Sequence, residues 1–286
     1  MPKKNLSKPV PLEELGNQLA RRGDIRVERL EERLEPRVPF PHRHDYFQLL
    51  VVSAGRGWHE IDFKRHAVRA PQVFMMKPGQ VHSWKLSADS QGFIVEFTEE
   101  SLPKNSFLLD LVPKALALPD VWKFAKSEFL IWKNKLEIML DEYEKRPSYY
   151  EASLQNHVGL LLIHALRSQG EGVSFHGGIA DKFKDLVELH FKKEHGLSFY
   201  AKELKITPKQ LSAVLQQKLH RSAKEIIAER CLLEAKRMLA YSATPVADIG
   251  YALGFEDPNY FSRFLRQNLQ MNASLFREEA QKKKGN

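Results

Sequence analysis

The feature that most constrains this chain is a pair of short helix–turn–helix patterns in its last third. In the first, Phe199 to Leu204 reads as a short helix, Lys205-Ile206 as a turn, and Thr207-Pro208 as an N-cap followed by a first-turn proline. The next helix runs to about Leu219. In the second, Val246 to Leu253 is a short helix, Gly254-Phe255 a turn, and Asp257-Pro258 again cap plus proline, with a helix to about Leu269. Leu211 and Phe261 fall at matching apolar positions, as do Leu215 and Leu265, so the two units form an imperfect repeat. Such units lay their second helix in a DNA major groove. Between them Ala223 to Ala240 reads as one helix. At 1.5 Å per residue it spans about 27 Å, near the ~34 Å between successive major-groove faces.

Charge agrees with an anionic partner. The net charge is +8, and residues 181–286 hold 19 Lys/Arg against 13 Asp/Glu, leaving +2 for the rest. A basic third of this kind fits double-stranded DNA, although +6 over about a hundred residues equally fits solvated helix faces and the Lys282-Lys283-Lys284 tail. The single cysteine, Cys231, excludes a disulfide framework and a cysteine-rich zinc module. No run approaches the ~18 apolar residues of a membrane span, and no apolar stretch follows the basic N-terminus as in a signal peptide. The expectation is a cytoplasmic protein without membrane contact.

Residues 25–100 read as β. Phe47–Val52 ends at Gly55-Arg-Gly57, Trp58–Phe63 alternates, Gln72–Met76 ends at Pro78-Gly79, and Gly92–Thr98 follows. Short strands between turns predict a small antiparallel barrel or sandwich. Residues 121–145 and 149–168 read as helices, the second with an apolar stripe at Leu154, Val158, Leu161, Leu162, Ala165 and Leu166. Four glycines in residues 170–178 mark a linker. The expected class is α+β: a barrel domain with a helical pair over 1–170, a linker over 171–180, and an all-α domain over 181–286.

GFEDPNYFSRFLRQN, residues 254–268, resembles the signature of AraC/XylS-type transcription regulators. TPVADIGYALGF before it and ERCLLEAKRML, with Arg230, resemble the same family's second unit and connecting helix. The resemblance implies a bilobed DNA-binding domain. Residue by residue it places Lys209, Ser212, Ala213 and Gln216 of the first recognition helix on DNA, and Pro258, Asn259, Ser262, Arg263 and Arg266 of the second. Arg263 suits guanine and Asn259 adenine, Arg266 and Lys209 suit phosphates, and Ala213 offers only a methyl group. The alternative for Arg263 is an ion pair with an acidic neighbour. The family's glycine after each recognition helix is replaced by His220 and Gln270, and its Ser/Thr-Pro by Ser222-Ala223 and Asn272-Ala273, so less sharply ended helices are expected.

Pro41-His-Arg-His44 and Lys77-Pro-Gly-Gln-Val-His82 resemble the two cupin motifs, with Gln48 at the acid position and Lys77 for the usual first proline. This implies that His42, His44 and His82 meet inside one barrel. Three imidazoles suit a divalent metal, but an amide at position 48 is a poor ligand. The reading preferred is no metal and no cofactor, the histidines bonding a ligand or the barrel wall. Gln48, Trp58 and Trp84 join them as candidate effector residues, among the aromatics Phe40, Tyr46, Phe47, Trp58, Phe74 and Trp84, each of which equally fits plain core. PHRHDYFQLLVVSAGRGWHEIDF is similar to regulators answering aromatic acids. The whole chain then reads as a regulator with a small-molecule effector, a homodimer through residues 149–168 with Leu161 and Leu162 at the seam, and RNA polymerase as partner if it activates. The competing class, a metal-dependent cupin enzyme, lacks the acid at Gln48 and leaves the DNA-reading half unexplained. No nucleophile–base pair can be argued either.

Overall fold

The computed structural model describes residues 24–34, 41–103, 108–109, 111–116, 118–123, 125–168 and 178–282. Phe40, nearly all of the glycine-rich 170–178 segment and the end of the lysine tail lie outside the described residues. The chain divides into two compact units near residue 173.

Among its described residues the first unit holds eight strands: β1 (Arg26–Arg29), β2 (Phe47–Ala54), β3 (Arg56–Ile61), β4 (Lys64–Arg69), β5 (Gln72–Met76), β6 (His82–Leu86), β7 (Gln91–Phe97) and β8 (Val121–Lys123). They form antiparallel sheets ordered β1-β7-β2-β5-β8 and β4-β3-β6. Helices α1 (Leu111–Leu116), α2 (Lys126–Lys145) and α3 (Tyr150–Ser168) follow. Residues 121–123, expected to open a helix, instead pair with β5 through Gln72↔Lys123 to Phe74↔Val121. Val121 and Trp122 suit a strand, and the helix starts only after Ala125.

Alternation along the larger sheet makes two cores. Phe47, Leu49 and Val51 of β2, Val73 and Met75 of β5, and Phe93, Val95 and Phe97 of β7 pack against α1–α3. Leu50, Val52, Phe74, Met76 and Ile94, on the opposite pleat, meet Ile61 and Val68 of the smaller sheet inside the barrel. A strand buried on both faces reads as an unbroken apolar run, which is why β2 shows no alternation. Leu161 and Leu162, expected at a dimer seam, are fully buried in the core under the sheet. The stripe on α3 is spent within its own domain.

Among its described residues the second unit is all helical: α4 (Ile179–His190), α5 (Leu197–Glu203), α6 (Pro208–Leu219), α7 (Ala223–Tyr241), α8 (Val246–Ala252), α9 (Pro258–Leu269) and α10 (Ala273–Lys282). One core runs through it, from Phe183, Tyr200, Leu211 and Leu215 through Ile227, Cys231, Ala235 and Leu239 of α7 to Ile249, Phe255, Phe261 and Leu265. Arg230 braces α7 on α4: it pairs with Glu188 at 2.7 Å and stacks 3.8 Å over the Phe191 ring. Glu234 and Arg237, both buried, pair at 2.9 Å one turn further on.

Candidate functional site

Caps set the two helix–turn–helix units. The Thr207 hydroxyl accepts from Gln210 N–H, and the Gln210 side chain returns the bond to Thr207 N–H. Asp257 accepts from Asn259 N–H at 2.8 Å. In the second turn Gly254 lies at φ 78°, and a Cβ there would meet Lys192 O at 2.5 Å, so glycine is required. The recognition helices end in left-handed geometry although glycine is missing, with His220 at φ 52° and Gln270 at φ 58°. The helix ends are therefore as sharp as glycine would make them, which corrects the expectation of looser ends. The cost falls on the backbone of two residues with side chains.

Helix α6 buries Leu211 and Leu215 and exposes Lys209, Ser212, Ala213 and Gln216. Spacings of three and four put these on one face. Helix α9 buries Phe261, Leu265 and Leu269 and exposes Asn259, Ser262, Arg263 and Arg266, with Pro258 half-buried in its first turn. Arg263 makes no ion pair among the described residues; its acidic neighbours across a groove of about 590 Å³, Glu225 and Glu229, are engaged by Ser222 and Arg221. The intramolecular alternative for Arg263 is not realised.

The barrel brings the motif histidines together. His42 and His82 form a backbone bridge with both N–H···O bonds, at 3.0 and 2.8 Å. Ring centroids lie 4.5 Å apart for His42 and His82 and 4.9 Å for His44 and His82. His44 Nδ1 donates to Tyr46 O at 2.7 Å, and the two rings stack at 4.0 Å. Burial holds the His44 imidazole at about 4 and His59 at about 3, and pushes His82 well below its ordinary value.

Gln48 is buried in the same cluster, and the carboxylate missing from its position comes from its neighbour across the ladder. Gln48 pairs in register with Glu96 of β7, and its amide Nε2 donates to Glu96 Oε1 at 2.7 Å. Arg33 Nη1 donates to the same oxygen at 2.7 Å. Burial works to raise the Glu96 pKa, but the Arg33 charge and these hydrogen bonds hold it below the usual carboxylate range. Arg33 in turn is raised: burial opposes its charge, and Glu96 and Glu28 overcome that. Sequence reasoning missed Glu96 and Arg33. The readable signal was one acid inside the apolar run Phe93-Ile-Val-Glu-Phe97.

Trp58 is corrected. The pleat of β3 turns it to the face opposite His59, where Arg65 Cζ lies 4.2 Å over its ring. The inward residue is His59, wholly buried, with its Nε2 3.1 Å from His82 Nδ1 and its ring against Phe74 and Trp84. Phe47 also faces away, stacked on Phe97 in the core under the helices. Trp84, Tyr46 and Phe74 stay with the histidines. Among the described residues no group of three or more His, Cys, Asp or Glu side chains is placed to hold a metal ion, and no helix is long and apolar enough to cross a membrane.

Comparison with known proteins agrees in both halves. Residues 25–106 match an AraC-like ligand-binding domain, and residues 200–279 match a helix-turn-helix domain. The HTH-type transcriptional activator RhaR of Mannheimia succiniciproducens is 21% identical over 262 residues, covering 88% of this chain and 92% of that protein. The activator RhaS of an Enterobacter species is 22% identical over 253 residues, 86% of this chain and 91% of its own. ToxT from Vibrio cholerae aligns over 89% of this chain and 97% of its own, at 12% identity and TM-score 0.43. With an AraC-like ligand-binding domain followed in sequence by a helix-turn-helix domain, the chain belongs to the AraC-type transcription regulators.

Proposed function

We propose that this regulator reads DNA with the exposed faces of α6 and α9, under the control of a small molecule held among the histidines of the barrel. The observation that carries the first half is the pair of capped helices, each with one face in a shared core and the other free, joined by the 19-residue α7 of about 28 Å. Arg263 reads guanine, Asn259 reads adenine, Arg266 and Lys209 hold phosphates, and Ser212, Ala213, Gln216, Pro258 and Ser262 line the approach. What supports the second half is the buried polar cluster of His44, Gln48, His59, His82 and Trp84 at one end of an otherwise apolar interior. Of the expected aromatic acid, the ring is supported by Tyr46, Phe74 and Trp84. The acid is less so, because Arg33 and Lys77 already hold Glu96 and Asp120.

The protein acts in the cytoplasm as a homodimer, with RNA polymerase as its further partner if it activates. The dimer face is the outer side of α2, where Leu130, Ile131 and Ile138 are about half exposed. The test of the DNA reading is a site selected from random sequence by the full chain. Arg263→Ala should weaken binding by about 1–3 kcal/mol and relax preference at one base pair, while Lys209→Ala weakens all sites alike and flattens the salt dependence. Unchanged affinity and preference in Arg263→Ala would refute the assignment.

A further inference from the structure

Among the described residues, six buried polar atoms of the barrel cluster have no hydrogen-bond partner: His44 Nε2, Gln48 Oε1, His59 Nδ1, His82 Nε2, Trp84 Nε1 and Arg33 Nε. The bonds already made on the same side chains fix what several of them offer. Tyr46 O can only accept, so His44 carries its proton on Nδ1, and its Nε2 presents a lone pair. Gln48 gives its amide N–H to Glu96, so its free Oε1 is an acceptor. His59 and His82 share one hydrogen bond, and either direction of it leaves one free donor and one free acceptor between the two rings. Trp84 Nε1 and Arg33 Nε can only donate. The cluster therefore asks its ligand for donors and acceptors together. A carboxylate brings acceptors alone and would set its oxygens against the lone pairs of His44 and Gln48. Buried groups left this way are costly. The charge balance points the same way, since Arg33 is already committed to Glu96 and Glu28.

We propose that the barrel binds an uncharged hydroxyl compound that donates an O–H to His44 or Gln48, or one to each where it carries two, and accepts from Trp84, the chemistry of a polyol or a phenol-like alcohol rather than a carboxylate. This rests on the reading of the barrel as the effector site. The groups facing the ligand are His42, His44, His59, His82, Tyr46, Glu96 and Arg33. With His44, His59 and His82 neutral, an alcohol binds without taking up a proton, whereas a carboxylate has to bring one to His44.

The experiment uses the full chain and two matched pairs, sorbitol with gluconate and benzyl alcohol with benzoate, by calorimetry in two buffers of different ionisation enthalpy. The expected result is that in at least one pair the alcohol binds about tenfold tighter or more than its acid, with the same heat in both buffers. His44→Leu should then weaken it by about tenfold, as should Trp84→Phe, which keeps a ring in place if the histidine variant does not fold. An acid that binds as tightly as its alcohol or tighter, with buffer-dependent heat and sensitivity to His44→Leu, overturns the ligand class and leaves the effector site standing. Binding by neither member of either pair overturns the class and withdraws support from the site. Alcohol binding unchanged in both variants places it elsewhere and overturns the proposal.

Discussion

Replacing Glu96 by leucine tests the buried polar cluster most directly. Glu96 is fully buried and Arg33 nearly so, and they meet at 2.7 Å. Removing the acid alone leaves a guanidinium in an apolar interior with only Glu28, at 3.1 Å, to answer it. It also strips Gln48 Nε2 of its acceptor. Breaking one side of a buried pair costs about 3–5 kcal/mol. At roughly 2–4 °C per kcal/mol for a domain of this size, the barrel should melt about 6–20 °C lower. Replacing both partners, Arg33→Met with Glu96→Leu, removes the stranded charge and should recover most of the loss, leaving about 1–2 kcal/mol for the Gln48 amide. The assay is built in: Trp58, Trp84, Trp122 and Trp132 all lie in the first unit, so tryptophan fluorescence in the full chain follows the barrel domain alone. The reasoning is refuted if Glu96→Leu costs less than about 1 kcal/mol, or if the double variant loses the sum of the two single losses.

Acid should loosen the same domain. His44 and His59 titrate at about 4 and about 3 when folded but near 6.5 unfolded. Between these values the unfolded chain binds protons that the barrel refuses, so stability rises with pH and is lost as pH falls from about 7 to 4, by up to about 3 kcal/mol from His44. Glu96, depressed, adds its own loss in the same direction at lower pH, below the ordinary carboxylate range. A fluorescence melting point that stays flat from pH 7 to 5 would contradict this. Ile131→Asp with Ile138→Asp should give a folded monomer by sedimentation, since both are about half exposed, whereas Leu161→Glu should unfold the domain; a double variant that remains a dimer rules out the α2 face. His220→Gly and Gln270→Gly should each stabilise the helical domain by about 1 kcal/mol, because glycine holds left-handed geometry without strain; chemical denaturation followed by circular dichroism reads this, and a loss of stability in both would show that the side chains hold those ends.

Much of the helical half was determined by sequence alone. Thr207-Pro208 and Asp257-Pro258 act through bonds to residues two or three places away, so their meaning is local and legible. The apolar spacing of α6 and α9 names the buried face and, by difference, the exposed one. In the barrel, sequence gave the histidines by motif, yet it could not say which side of a strand a residue occupies. Trp58 and His59 differ by one place, and only the pairing of β3 with β6 sends one outward and the other in. The same limit hid Glu96, which reaches Gln48 across 48 residues through the β2–β7 register. Leu161 and Leu162 carried a genuine apolar stripe, but a stripe tells only that a helix packs, never on what. That the core of its own domain, with α1 and α2, covers α3 was decided by tertiary structure, because the partner of a hydrophobic face is a property of the assembled layers and not of the helix that bears it.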